Sequence, residues 1–442
     1  AFKNCKITEI ELPASVAKLG SKPFEGCSIA RLVVPDSLAS DGFTDLVAGI
    51  SGLKSIECRS TCKNFTTIDG ALFSKDGTEL VFCPADKVAE AYTVPAEVRK
   101  IGDYSFKDNV GVKSVVFADA DKDLEIGQYA FQNSSIESVT LPDRLVSIAL
   151  YAFSGCASLK TVTFGDSCKL STIGDRAFEK CASLTEISIP DLTTSIGIYA
   201  FSECSLLKNV NFSENSQLIN IGQNAFRSCA ALVEFTAPKT LVNLGKPSTT
   251  DTVLVTTSSY TFYNCKSLKK ADLSSCAVEN IAMYTFESCD ALETVLLPQG
   301  LKGIGQYAFR NCVKLSEISL PEGLVTLNAQ AFSGCGQYFE KTGLKTGLKS
   351  ITVPSTVTTI GKSVFENCAA LEEATVKSTS VGENMFLGCV SLKKVTIGAE
   401  TESIKALAFS GCKSLAEVNM QSNVLAEIGK GAFQNTAITQ FT

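Results

Sequence analysis

A unit of about 23 residues recurs from one end of this chain to the other. Over Ile173–Pro190 it reads I-G-D-R-A-F-E-K-C-A-S-L-T-E-I-S-I-P. The same order returns at Ile196-Gly197, Ala200-Phe201, Cys204, Leu207, Val210 and Phe212. It returns again at Ile304-Gly305, Ala308-Phe309, Cys312, Leu315, Ile318, Leu320 and Pro321. Seventeen phenylalanines fill the aromatic slot: 2, 24, 73, 106, 131, 153, 178, 201, 226, 262, 286, 309, 332, 365, 386, 409 and 433. One unit cannot bury its own apolar face, so the units must stack and the stack becomes the core. A chain of 442 residues would otherwise suggest several globular domains. The repeat instead predicts one solenoid over residues 1–442, of roughly 18 coils.

Each slot has a physical reading. The segment L-x-x-I-x-I alternates like a strand with one face on a core. The proline after it ends the strand, because it cannot donate to the ladder. The Ile-Gly pair buries one side chain and then turns, the glycine admitting dihedrals closed to other residues. Ala beside Phe leaves room for each ring to stack on that of the preceding coil. Phe178, Phe201, Phe226 and Phe309 are central members of that spine.

Eighteen cysteines suggest a disulfide framework until they are placed. Thirteen lie three residues after the phenylalanine slot, Cys181, Cys204, Cys229 and Cys312 among them. Asn109, Ser134 and Thr436 take the same position elsewhere. A slot that accepts these residues wants something small at a tight turn, which predicts a ladder of buried free thiols. Of the five cysteines outside the slot, Cys58 and Cys62 form the candidate disulfide.

The absence of histidine removes Ser-His and Cys-His nucleophilic pairs and His-ligated metal. Asp119, Asp121 and Asp123 alternate like a calcium loop, but Leu124 stands where that loop needs glycine, so a solvated acidic turn is expected. The net charge of -6 gives no basic footprint for nucleic acid. No apolar run reaches the ~20 residues of a membrane span. No cofactor and no metal site are expected, and no enzymatic activity. The chain opens in mid-pattern at Ala1-Phe2-Lys3-Asn4-Cys5, as a trimmed or mature fragment would, with any targeting segment upstream.

The I-G-x-x-A-F-x-x-C units and strand-ending prolines resemble the BspA-like leucine-rich-repeat proteins, across nearly the whole chain. The resemblance implies an α/β-type solenoid, a right-handed superhelix with a concave parallel β-sheet. It also implies a secreted or cell-surface protein whose role is adhesion or ligand recognition. An inserted β-hairpin recurs in that family. Here Gly70-Ala71-Leu72-Phe73 and Glu79-Leu80-Val81-Phe82-Cys83 are its candidate strands, within an irregular region of about residues 58–95.

Two further irregularities are expected to be surface loops, over about residues 246–260 and 336–347. The candidate binding face comprises the outward positions of the strands: Glu186, Ser188, Asn209, Asn211, Glu234, Thr236, Lys270, Asp272, Glu317 and Ser319. Small hydroxyls and a mild acidic excess suit a polar or basic partner, namely a host or matrix protein or a glycan. Self-association through uncapped solenoid ends is the alternative, since exposed strand edges invite pairing.

Overall fold

The structure, a computed structural model, describes residues 2–40, 42–47, 50, 52–84, 90–247, 252–339 and 344–441. The chain divides into two compact units, Ala1–Thr193 and Thr194–Thr442. Both are solenoids of parallel strands, about 17 turns in all. Among the described residues the only helix is Gly42–Val47.

In the first unit Ala91–Val94, Ser114–Phe117, Ser138–Leu141 and Thr161–Phe164 run parallel, one strand per coil. Ser138–Leu141 and Thr161–Phe164 are in strict register, Ser138 beside Thr161 and Val139 beside Val162. In the second unit Ser350–Val353, Glu373–Val376, Lys394–Ile397 and Glu417–Met420 repeat the arrangement. Proline follows three of these strands, as Pro95, Pro142 and Pro354, and each also heads a turn. The carbonyl of Pro142, for example, accepts the N–H of Leu145 at 3.0 Å, and that of Pro321 the N–H of Leu324 at 3.0 Å.

The sequence reading assigned one strand per coil; between Ala91 and Ile428 the structure has two. The isoleucine of the Ile-Gly pair ends a second short strand, as in Thr172–Ile173, Gly303–Ile304 and Thr359–Ile360. These strands form parallel ladders of their own, Ile281 beside Ile304 and Ile304 beside Leu327. The glycine that follows has a different role from the one expected. The φ of Gly174 is not left-handed, and its N–H donates to Ile148 O in the preceding coil at 2.8 Å. A Cβ there would lie 2.7 Å from both Ile148 O and the carbonyl carbon of Ala149. Close approach of two backbones, and not an unusual dihedral, requires glycine. Gly174→Ala should therefore cost about 1–3 kcal/mol in denaturant unfolding, while Gly20→Ala, in open space, should be near neutral. Equal effects at the two positions would reject the close-approach account.

The aromatic slot forms a spine in each unit. In the first, Phe106, Phe131, Phe153 and Phe178 stack at 4.7, 4.7 and 5.0 Å. In the second, the stack runs unbroken from Phe201 through Phe226, Phe262, Phe286, Phe309, Phe332, Phe365, Phe386 and Phe409 to Phe433. Its centroids lie 5.0 to 5.6 Å apart and its rings are within 12° of parallel. Backbone bonds tie the same turns, as where Phe309 N–H donates to Ala331 O at 2.8 Å. Phe73 is the exception. It lies inside the strand Ala71–Ser74 and pairs with Thr66 and Leu80 in antiparallel ladders.

Ala71–Ser74 and Glu79–Phe82 are the two arms of the expected hairpin, with Phe65–Ile68 added on the far side. The insertion near 336–347 holds a second hairpin, Gly336–Phe339 against Leu344–Gly347. Its closing pair is Gly336 and Gly347, with φ of 146° and 104°, conformations that glycine alone adopts at low cost. Residues 340–343 lie outside the described residues, as do 248–251 of the other insertion. Phe226 to Phe262 and Phe332 to Phe365 remain stacked at 5.6 and 5.2 Å across these insertions. The extra residues are therefore accommodated without breaking the spine.

All eighteen cysteines are free, and sixteen are buried, with Cys5 exposed and Cys58 half-buried. The slot cysteines share one contact beyond packing. Cys312 Sγ donates to Phe286 O at 3.1 Å, Cys335 Sγ to Phe309 O at 3.1 Å and Cys412 Sγ to Phe386 O at 3.1 Å. Cys181 Sγ donates to Phe153 O at 3.2 Å in the same way, and Cys229 Sγ to Phe201 O at 3.1 Å. Each such carbonyl also accepts the backbone N–H of its own coil's cysteine, as Phe309 O does from Cys312 at 3.2 Å. Both lone pairs of a buried carbonyl are thereby used.

Candidate binding face

In the second unit the strands Asn209–Asn211, Glu234–Thr236 and Lys270–Asp272 each bury their middle residue, Val210, Phe235 and Ala271. Period-two alternation then turns both flanking side chains outward. Register aligns them into rows. Glu234 stands beside Lys270, Lys270 beside Thr294 and Thr294 beside Glu317. A second row runs from Thr236 through Asp272 to Leu296. Ser319 follows the strand Glu317–Ile318 and is exposed. Glu186 and Ser188 flank buried Ile187 in Glu186–Ser188 of the first unit.

The rows carry local polar bonding. Thr294 Oγ1 donates to Glu317 Oε2 at 3.0 Å, and Lys270 Nζ lies 3.4 Å from Asp272 Oδ2. Burial pushes the Asp272 carboxyl up, but the Ser274 hydroxyl and N–H and the Lys270 ammonium outweigh it. The group therefore sits below the ordinary aspartate range, and it is held as a charged acceptor.

Four of the sequence-predicted residues, Asn209, Asn211, Glu234 and Thr236, converge on one open cavity of about 600 Å³. Lys270, Asp272, Glu317 and Ser319 do not line it, nor do Glu186 and Ser188. Glu214, Lys239 and Phe212 complete its polar and aromatic wall. The sequence pattern placed Phe212 with the inward strand residues. It is instead half-buried, its ring edge-on to Phe235 at 6.0 Å and 83°. Thr294 and Leu296 are also additions, missed because T-V-L differs little from any other strand. Glu214 and Glu234 are exposed and have no ion-pair partner among the described residues.

Asp119, Asp121 and Asp123 form no metal cage, and among the described residues no group of three or more potential ligands could hold a metal ion. Asp123 instead pairs with Lys169 at 3.0 Å. No described helix is long and apolar enough to cross a membrane.

A leucine-rich repeat protein from Bacteroides ovatus has a similar structure, with TM-score 0.55 and 24% identity over 84% of this chain and 91% of that one. A leucine-rich cell surface protein from Faecalibacterium prausnitzii matches with TM-score 0.44 and 22% identity, over 86% and 99% of the two chains. The pneumococcal vaccine antigen PcpA matches with TM-score 0.41 and 23% identity, over 83% and 96%. No curated protein matches the sequence. The model of the BspA type leucine rich repeat region matches residues 1–88, 124–249, 247–338 and 338–442. With that motif matched over most of its length, and with parallel-stranded coils throughout both units, the chain belongs to the BspA-type leucine-rich repeat family.

Proposed function

We infer that this is a non-catalytic binding protein, secreted or held at the cell surface, which recognises a host or matrix protein or a glycan through the strand face. The observation that carries this reading is the cavity at Asn209, Asn211, Glu234 and Thr236. Among the described residues its carboxylates Glu214 and Glu234 form no ion pair, and the wall adds a single lysine, Lys239, so acidic charge is available to a partner. The half-buried ring of Phe212 adds apolar area beside them. The chain has no histidine, and the cavity carboxylates Glu214 and Glu234 are open to solvent, which supports a binding over a catalytic role for this face. The surface location rests on the resemblance to a family of surface and secreted proteins.

The test is a screen of arrayed glycans and matrix proteins with the full chain, repeated with Glu214→Lys/Glu234→Lys and with the control Glu400→Lys. Charge-assisted contacts contribute about 1.5–3 kcal/mol each, so the double variant should lose at least tenfold in affinity for a basic or amine-bearing partner. The control should bind as the parent does. A hit that ignores both face substitutions, or a screen with no hit, would reject the strand face as the binding surface.

A further inference from the structure

Seven of the ten tyrosines stand two residues before a slot phenylalanine: 104, 129, 151, 199, 260, 284 and 307. All seven have positive φ, between 50° and 64°, which bulky residues rarely adopt. In the second unit Tyr260, Tyr284 and Tyr307 stack at 4.4 and 5.0 Å. Arg310 covers the ring of Tyr307 at 4.2 Å and donates through Nε to buried Glu287 at 2.7 Å. Arg227 lies over Tyr263 at 5.2 Å, and Tyr263 meets Tyr260 edge-on at 5.7 Å.

These side chains enclose an open cavity of about 550 Å³, lined among others by Tyr260, Tyr263, Tyr284, Arg227, Glu287 and Arg310. It shares no residue with the strand-face cavity. Its size lies within the ~300–1,000 Å³ usual for small-molecule sites. Its charges do not cancel. Arg310 is matched by Glu287, whereas Arg227, lying over Tyr263, has a 3.5 Å contact to Asn224 Oδ1 and no carboxylate partner among the described residues. Stacking occupies both faces of the Tyr284 ring, and aromatic edges carry positive charge. Phenol O–H groups and a guanidinium are donors suited to an oxyanion. The wall is mainly polar, which favours a hydroxylated body over an apolar one.

We propose that this cavity binds one carboxylate carried on a hydroxylated ring, that is, a hexuronic acid, free or at the end of an acidic saccharide. Arg227 supplies the matching charge and the tyrosine hydroxyls bond the sugar. The chain has no tryptophan, so its intrinsic emission comes from tyrosine, and four of its ten tyrosines line this cavity.

Titration of the full chain with glucuronate, glucose and inorganic sulfate, read by tyrosine emission and calorimetry, tests the proposal. Glucuronate should bind in the millimolar range, at least tenfold more tightly than glucose or sulfate. Arg227→Gln should lose that preference and Arg227→Lys should retain part of it, since lysine keeps the charge without the fork. Added salt should weaken glucuronate binding to the unmodified chain, a readout independent of how the variants fold. A glucuronate-terminated disaccharide that binds more tightly identifies a saccharide end as the source, and equal binding identifies the free sugar; both support the site. Glucose or sulfate equal to glucuronate, binding indifferent to salt, or Arg227→Gln within twofold of the parent would overturn it.

Discussion

Phe309→Ala should destabilise the second unit by about 3–5 kcal/mol, the usual range for emptying a packed phenylalanine site. Phe309 is fully buried and stacks on Phe286 at 5.3 Å and Phe332 at 5.0 Å. One substitution therefore removes two ring contacts, each contributing about 0.5–1.5 kcal/mol beyond burial, and leaves a cavity between coils. Phe433 is half-buried, stacks on Phe409 at 5.2 Å and lies near the end of the spine. Its removal should cost far less, because a half-exposed ring has less buried area to lose and leaves a smaller cavity. Solenoid stability is close to a sum of coil and nearest-neighbour terms. Phe309→Ala should consequently split denaturant unfolding into two transitions, while Phe433→Ala preserves a single one. Equal and small losses at both positions would mean that the rings do not share a core.

That spine was readable before any coordinates because a large ring at fixed spacing has few other uses. The prolines were readable for a similar reason, since a residue without an N–H can only end a ladder. Other features leave weaker traces. The second strand of each coil is two to four residues long, as in Gly303–Ile304, too short for alternation to register. The glycine of the Ile-Gly pair was correctly expected to be required, but for the wrong reason. Backbone approach between coils, as at Gly174, leaves no mark in one coil's sequence. The hairpin Gly336–Phe339/Leu344–Gly347 has no Asn-Gly or Asp-Gly signal to announce it. On the candidate face, alternation placed Asn209, Asn211, Glu234 and Thr236 outward, and the structure has them line one cavity. Phe212 was misplaced because an aromatic residue at a strand end looks the same from outside and inside. The tyrosine row was visible as a spacing, two before each slot phenylalanine, but only stacking distances give it meaning.

The buried thiols should make stability fall steeply in mild alkali. Burial pushes Cys83, Cys156 and Cys265 up to about 12, and it pushes Cys229, Cys289, Cys312 and Cys389 well above their ordinary value. An unfolded cysteine ionises near pH ~8.5. Below that value both states hold the proton and the thiols contribute no pH dependence. Above it the unfolded chain releases protons that the folded chain keeps until about pH 12, so the unfolded state gains and stability declines. Each fully shifted thiol contributes a slope of about 1.4 kcal/mol per pH unit, or about 4 kcal/mol per unit for Cys83, Cys156 and Cys265 together. A folded domain has only about 5–15 kcal/mol to lose. Under reducing conditions the unfolding midpoint should therefore drop sharply between pH 8 and 10, before lysine and tyrosine titrate. Cys156→Ala/Cys265→Ala should lower that slope even if it also lowers stability at pH 7. Alkylation at pH 8 should modify exposed Cys5 first and leave the buried thiols intact until the chain unfolds, since only the thiolate is nucleophilic. A midpoint constant from pH 8 to 10, or prompt native alkylation of Cys156 and Cys265, would show that the ladder is neither dry nor protonated.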